Sequence, residues 1–318
     1  MERIKFIDEY LSPIPYITVR TSGSTGTPKE IQLQKSLLAE SARRTNDFFG
    51  INSESRLHSA ISDEFIGGKM MVVRSVEAHC RFTWETPSMQ PLKNLTDKSA
   101  IDLLAVVPSQ MWGIISNEYP IPELRNIIIG GAPIADNLRE RLYDLPFKCW
   151  ETYGMTETAS HIALKEISPD VEYFTTLRGV SVTVDNRECL VINDNGREII
   201  TNDVAELFSS TEFRILGRYD NMIISGAKKI NPLEIENEIS KLTSFPLYIS
   251  SRKDDRWGEA LVVVIEKKNQ GYKDFMLDWE RIKSRLSDIL PGWKIPKDVV
   301  VTERFETTPT GKLIRRKF

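Results

Sequence analysis

Chemistry concentrates first in residues 21–29, Thr21-Ser22-Gly23-Ser24-Thr25-Gly26-Thr27-Pro28-Lys29. Two glycines let the backbone turn tightly and approach a ligand closely. Hydroxyls and successive backbone N–H groups can donate to phosphate oxygens, and Lys29 adds a compact positive charge. The stretch reads as a phosphate loop. It is not the common Gly-Lys-Ser/Thr version, because Pro28 separates Thr27 from Lys29 and Glu30 comes next. A Ser/Thr/Gly-rich linker is the competing reading. The setting, after the apolar run Tyr16 to Val19 and before a helical pattern, favours the loop.

The second concentration is Tyr153-Gly154-Met155-Thr156-Glu157-Thr158. An aromatic able to stack on a base, a hydroxyl able to reach a phosphate and a carboxylate able to hold Mg²⁺ lie within five residues. Gly130-Gly131-Ala132-Pro133 offers a surface without side chains on which a flat ring can lie, or a plain strand-to-helix turn. Asp203 is a candidate for hydrogen-bonding two ribose hydroxyls, with a turn aspartate as its rival. Lys312, between Gly311 and Leu313, is a lysine that could be delivered into a site, although such a residue near a chain end is usually solvated.

These residues need elements to place them. Continuous apolar runs at Ile101 to Val107, Asn126 to Ile129 and Phe147 to Thr152 alternate with helical patterns, which predicts a parallel sheet covered on both faces. Ligands of such sheets bind beyond the carboxyl ends of the strands, where both glycine and Tyr-Gly stretches fall. Ser36 to Phe49 reads as a helix stopped by Gly50, and Phe65-Ile66-Gly67-Gly68 as a helix opening or a turn. From Gly179 to Phe208 short alternating strands take over, with Asp194-Asn195-Gly196 as a hairpin turn and Thr201-Asn202-Asp203 at the end of the zone. Past Gly217, Asn231-Pro232 caps a helix, and strands at Ala260 to Ile265 and Val299 to Val301 flank a helix around Phe275 to Leu290. The fold class is therefore α/β. A large N-terminal parallel-sheet domain with a β-rich section, residues 1–216, precedes a small C-terminal α+β domain, residues 217–318.

Composition excludes several alternatives. With 41% hydrophobic and 27% charged residues, the 318-residue chain is ordinary globular material, long enough for two domains. No run of about eighteen apolar residues is present, and Met1-Glu2-Arg3-Ile4-Lys5 lacks a signal-peptide core, so a cytoplasmic protein without membrane insertion is expected. Three cysteines and three histidines form no ligand motif. A net charge of -3 with interspersed signs points to no nucleic-acid partner, and Arg315-Arg316-Lys317 reads as a solvated basic tail.

Taken in order, the motifs resemble the adenylate-forming superfamily of acyl-CoA synthetases, nonribosomal-peptide adenylation domains and luciferases. The matching stretches are residues 21–29, Gly130 to Pro133, Tyr153 to Glu157, Thr201 to Asp203, Gly217-Arg218-Tyr219-Asp220, Ser225-Gly226, Glu234-Ile235-Glu236 and Pro309 to Lys312. Within it, Tyr153 to His161 and Ile223 to Glu236 look most like the o-succinylbenzoate-CoA ligases of menaquinone biosynthesis. Usual members carry well over a hundred residues before the loop where this sequence has twenty, so a shortened N-terminal part is expected. Other departures are Phe65 at a position that is commonly His, and Thr201-Asn202-Asp203 for Thr-Gly-Asp.

The resemblance implies roles residue by residue. Thr21, Ser22, Gly23, Ser24, Thr25, Gly26 and Lys29 would grip the β- and γ-phosphates of ATP, and Thr156 the α-phosphate. Glu157 would ligate Mg²⁺, and Tyr153 would stack on adenine beside Gly131, Ala132, Glu151 and Thr152. Asp203 would bind the ribose, with Arg218 near ribose or phosphate and Asp220 as the hinge of a mobile C-terminal lid. Lys312 would neutralise charge as the acyl carboxylate attacks the α-phosphate. The lid would then rotate and admit the thiol of CoA, the co-substrate. The implied activity is an ATP- and Mg²⁺-dependent acid-CoA ligase, with o-succinylbenzoate as the favoured acid. Its rivals are a ligase for another aryl or acyl acid, a non-catalytic nucleotide-binding module and a carrier-loading adenylation domain.

Overall fold

A computed structural model of the chain describes residues 2–20, 30–116, 118–269, 271–307 and 313–318, with only the backbone for residues 2–5. It divides into two compact units. The first comprises Met1–Val182, Ile192–Ile199 and Leu207–Arg214. The second comprises Thr183–Val191, Ile200–Glu206 and Ile215–Phe318.

The first unit is built on five parallel strands in the spatial order Arg81–Trp84, Arg56–Ser59, Ile101–Val106, Leu124–Ile129 and Lys148–Met155. Helices Ile66–Ala78, Pro108–Ile115 and Asp136–Arg141 make the crossovers between consecutive strands. The apolar runs behave as strands covered on both faces must. Ile101, Leu104 and Val106 face one core with Met111, Ile114 and Leu138. Leu103 and Ala105 face the opposite core with Leu57, Met71 and Leu164. Each fully buried Leu or Ile of these layers stabilises the fold by roughly 1.5–3 kcal/mol. Beyond Lys148–Met155 the sheet turns antiparallel through Ser160–Glu166 and Phe174–Thr176.

Two elements of this unit escape the sequence patterns. Helix Glu2–Leu11 buries Phe6 and Tyr10, one turn apart, in the same core as Leu38 and Val73. Strand Glu30–Gln34 pairs antiparallel with Tyr16–Arg20, from Tyr16 opposite Gln34 to Arg20 opposite Glu30. Helix Lys35–Phe49 follows this strand, and residues 21–29 lie outside the described residues.

The second unit has its own sheet, in which Gly258–Glu266 pairs antiparallel with Leu247–Asp254 and parallel with Asp298–Thr302. A hairpin of Ile223–Ser225 and Lys228–Ile230 adds to it. Helices Pro232–Ser240 and Tyr272–Ser287 cover one face through Ile235, Ile239, Phe275, Trp279 and Ile282. The long part of this unit starts at Ile215, against a sequence boundary of 217, and it also takes up two earlier stretches of the β-rich section. Thr201-Asn202-Asp203, expected to end the zone of short strands, lies inside strand Arg197–Leu207. No helix among the described residues is long and apolar enough to cross a membrane.

Phe65-Ile66-Gly67-Gly68 does open a helix, and the reason for Gly68 is close packing. A Cβ there would stand 2.2 Å from the Ser62 carbonyl oxygen, whereas one at Gly67 would meet only the end of the Ile61 side chain at 3.2 Å. Gly68→Ala is expected to cost about 1–3 kcal/mol through overpacking. Gly67→Ala should cost much less, and thermal melts of the two variants against the parent check the difference.

Candidate nucleotide-binding site

The Tyr-Gly-Met-Thr-Glu stretch is placed by strand Lys148–Met155, which runs three residues beyond its expected end at Thr152. It pairs back on Ser160–Glu166 with a register shift between Tyr153 and Gly154. Gly154 is required there, since a Cβ would stand 2.3 Å from the Ser160 carbonyl oxygen. The intervening turn lifts Thr156 and Glu157 off the strand end. Thr158 ties the turn together: its hydroxyl accepts from the Met155 N–H at 2.9 Å and donates to the Ser160 carbonyl at 2.6 Å. Ala159 and Ser160 then take φ of 52° and 90°, which side chains other than glycine adopt at a cost.

A buried hydrogen-bond network holds this strained return. Arg74 of helix Ile66–Ala78 is 1% exposed, and its Nη2 lies 3.3 Å from Ser160 Oγ and 3.4 Å from His161 Nδ1. A guanidinium only donates, so Nδ1 must accept and the ring proton sits on Nε2. Nε2 donates to Thr45 Oγ1 at 3.0 Å, which leaves the Thr45 hydroxyl to donate to the Ser41 carbonyl at 3.1 Å. Ser41 Oγ in turn donates to the Ala159 carbonyl at 2.9 Å. Burial, and then the Arg74 charge, push the His161 pKa well below its ordinary value. Burial alone pulls Arg74 down to about 9, so it is still a cation at neutral pH.

The other sequence-selected residues of the first unit gather near the same strand ends. Gly130, Gly131 and Ala132 come directly after strand Leu124–Ile129, Gly131 with a φ of 88°. A Cβ on Gly130 would meet Thr152 Oγ1 at 2.4 Å. The Tyr153 ring rests edge-on against Phe213 at 5.2 Å and tilts against Phe174 at 5.8 Å, which fixes its orientation. Glu151 Oε2 is held by Arg139 Nη2 at 2.7 Å and Lys165 Nζ at 2.9 Å. Glu157 is exposed and makes no ion pair among the described residues. No group of three or more His, Cys, Asp or Glu side chains converges among the described residues.

In the second unit the sequence-selected residues meet one another. Arg218 donates to Asp203 Oδ1 at 3.2 Å and to Asp220 Oδ2 at 2.9 Å, and the Asn202 amide reaches Asp220 at 3.3 Å. Burial opposes the Arg218 charge, but the two carboxylates outweigh it and hold its pKa above the ordinary value. Lys312, like Thr21, Ser22, Gly23, Ser24, Thr25, Gly26 and Lys29, lies outside the described residues.

Comparison with known proteins fixes the group. The AMP-binding enzyme family matches residues 15–217. The chain belongs to the AMP-binding enzyme family. Among its AMP-binding relatives, a 2-succinylbenzoate–CoA ligase from Listeria monocytogenes is 25% identical over 93% of this chain and 68% of its own length. A feruloyl-CoA synthase from Amycolatopsis sp is 28% identical over 94% of this chain and 69% of its own. The chain thus spans about two thirds of the length of both. The crystal structure of an AMP-forming acyl-CoA synthetase/AMP-acid ligase II-like protein from Dyadobacter fermentans is 30% identical, with a TM-score of 0.64. That likeness covers 97% of this chain and 90% of the other. The α/β fold and the acyl-CoA synthetase class read from the motifs hold for this AMP-binding enzyme.

Sequence reasoning missed Arg74, Thr45 and Ser41. One signal was available: Arg74 interrupts the apolar run Met70-Met71-Val72-Val73 inside a helix. It also missed two half-exposed indoles of the second unit. Trp257 packs over Gly226, with Arg256 and Lys297 at 4.8 and 5.4 Å from its ring. Trp293 has Lys228 and Lys294 at 4.7 and 5.1 Å.

The His161 shift sets a pH dependence. Unfolded chain takes up a proton on this ring near pH 6.5, while the folded ring stays neutral to lower pH. The contribution is complete above about pH 6.5 and is lost below it, by up to about 1.4 kcal/mol per pH unit. His161→Gln should therefore flatten the fall of Tm between pH 7 and 5; an unchanged slope would show that the folded ring titrates normally.

Proposed function

We propose that this chain is an ATP-dependent acid-CoA ligase working in two half-reactions. Residues 1–216 would be the AMP-binding domain, with 217–318 as the lid hinged at Asp220. An acyl carboxylate oxygen attacks the α-phosphorus of ATP and pyrophosphate leaves. The CoA sulfur then attacks the acyl carbon and AMP leaves. The observation that carries this reading is the Thr156-Glu157 turn: a hydroxyl and an exposed carboxylate without an ion pair among the described residues, raised at a strand end by a rigid buried network. Such a carboxylate suits Mg²⁺, which is usually held by one or two carboxylates together with substrate phosphates. The ion would neutralise phosphate charge. Residues 21–26 and Lys29 grip the outer phosphates, Thr156 the α-phosphate, and Lys312 stabilises the charge that develops in the displacement. Tyr153, Gly131, Ala132, Glu151 and Thr152 receive adenine, and Asp203 and Arg218 the ribose. The adenine and phosphates of CoA meet suitable partners in Trp257 and Trp293 with their neighbouring cations.

The acid is o-succinylbenzoate or a close dicarboxylate, and Arg74 supports this. Among the described residues of the first unit, three arginines are buried. Arg44 has Asp194 and Glu40 at 2.7 Å, and Arg56 has Asp97 at 3.5 Å. Arg74 has no carboxylate among the described residues, and its Nε has no partner there. An uncompensated buried cation is costly unless an anion joins it. o-Succinylbenzoate carries a second carboxylate that is free to do so while the first is activated. Ferulate has no second carboxylate, so a monocarboxylate ligase is the alternative.

ATP–pyrophosphate exchange with a panel of acids, followed by CoA, tests both levels. Exchange is expected with o-succinylbenzoate, and because Arg74 also holds the Thr156–Glu157 turn, Arg74→Met should lower kcat/KM for that acid by about 10²-fold or more beyond whatever it loses with monocarboxylates. Exchange with ferulate alone would keep the mechanism and discard the dicarboxylate. Nucleotide binding without exchange for any acid would make the chain a non-catalytic module. Lys312→Ala should lose adenylation by about 10²-fold or more while still forming thioester from supplied acyl-adenylate.

A further inference from the structure

Residues Leu313 to Phe318, of which Arg315-Arg316-Lys317 were expected to be a solvated basic tail, are tied down one by one. Leu313 bridges to Thr307, and the Ile314 N–H donates to the Glu306 carbonyl at 2.9 Å. The Arg316 carbonyl accepts from Ser250 Oγ at 2.6 Å, and Lys317 Nζ meets Glu259 at 2.7 Å. Phe318 donates to the Ser251 carbonyl at 2.9 Å and accepts from the Lys253 N–H at 3.0 Å.

The strongest tie is Arg315. Its two terminal nitrogens fork onto the two oxygens of Glu236, Nη2 to Oε2 at 2.7 Å, with the side chains only 13% and 16% exposed. Glu236 also accepts from the Ile249 N–H at 2.6 Å, and Arg315 donates to the Ile249 carbonyl at 3.2 Å. One carboxylate therefore joins helix Pro232–Ser240, strand Leu247–Asp254 and the chain end. The neighbouring pairs Arg316–Glu306 and Lys317–Glu259 are more exposed and contribute less by comparison. The fork is geometrically selective, since only a guanidinium satisfies both oxygens of a carboxylate in one plane. Glu236 belongs to the Glu-Ile-Glu motif, to which no step of the proposed chemistry assigns a role.

We propose that Glu236 and Arg315 are positioning residues that fix the chain at the point from which Lys312, three residues before Arg315, is presented for adenylation. This rests on the reading of Lys312 as the cation of the first half-reaction. Positioning errors of about 1 Å cost on the order of 10²-fold in rate, so the clamp acts on kcat of adenylation and leaves the thiol step alone.

The test measures both half-reactions in Arg315→Met, Arg315→Lys and Glu236→Gln, with Lys312→Ala as the control. Expected for Arg315→Met and Glu236→Gln is a fall of about 10- to 100-fold in kcat for adenylation with KM for ATP little changed. Thioester formation from supplied acyl-adenylate should stay within about twofold, and Arg315→Lys should recover part of the loss. Hydrogen exchange at the Ile314 and Phe318 amides should quicken in the same variants. The clamp is refuted if Lys312→Ala loses adenylation while Arg315→Met keeps it, or if both half-reactions fall together with Tm. Unchanged exchange at Ile314 and Phe318 refutes it as well. Normal adenylation by Lys312→Ala removes the reading of Lys312, and the clamp with it.

Discussion

The turn that carries Thr156 and Glu157 depends on a guanidinium that can only donate. Because Arg74 gives a hydrogen bond to His161 Nδ1, the imidazole has one possible tautomer, and that sets the direction of every later bond in the network. Ser41 then meets the Ala159 carbonyl, in the residue where the backbone enters positive φ. Each buried polar group left unpaired would cost about 1–3 kcal/mol. That penalty is what makes the strained turn the favoured one, and it joins helix Ile66–Ala78, helix Lys35–Phe49 and strand Ser160–Glu166 to the site.

The parallel sheet supplies the place for this network. Its strands are apolar on both faces, so helices must cover both, and the crossovers bring every strand into register at the same end. The residues proposed to meet a ligand then fall in the segments just past the strand ends: Gly130 to Ala132 after one, Thr156 and Glu157 after the next. The second unit needs no such crest. Its residues are fixed by ion pairs, with Arg218 between Asp203 and Asp220 and Arg315 on Glu236.

Much of this was legible in the sequence, for physical reasons. Continuous β-branched runs such as Ile127-Ile128-Ile129 have few alternatives to a buried strand, and Gly154 and Asp194-Asn195-Gly196 mark backbone constraints that local chemistry dictates. Glu30–Gln34 was not legible, because five residues with a single buried side chain, Leu33, carry almost no periodic signal. Strands were legible from Gly179 to Phe208, but that a single strand runs on through Thr201-Asn202-Asp203 was hidden by turn-forming residues whose pairing comes from the surrounding sheet. The Thr45–His161 bond joins residues 116 positions apart, a contact that no local pattern encodes. Arg315 was read as solvated because nothing near it in sequence reveals Glu236, 79 positions away.

Charge balance sets Arg74 and Glu157 apart from the other charged residues that hold the fold. Where a buried or half-buried arginine serves structure here, carboxylates meet it: Asp194 and Glu40 at Arg44, Asp203 and Asp220 at Arg218, Glu236 at Arg315. Among the described residues Arg74 departs from that pattern, and so does Glu157 with the opposite sign. A neutral His161 and the Ser160 hydroxyl orient Arg74 but do not cancel its charge. The two uncompensated groups flank the same turn, the cation behind Ser160 and the carboxylate before Thr158. Under the proposed function, the reactant would bring an anion for the first and, with its phosphates, a cation for the second. The proposed acid with two carboxylates, activated by ATP, would satisfy both.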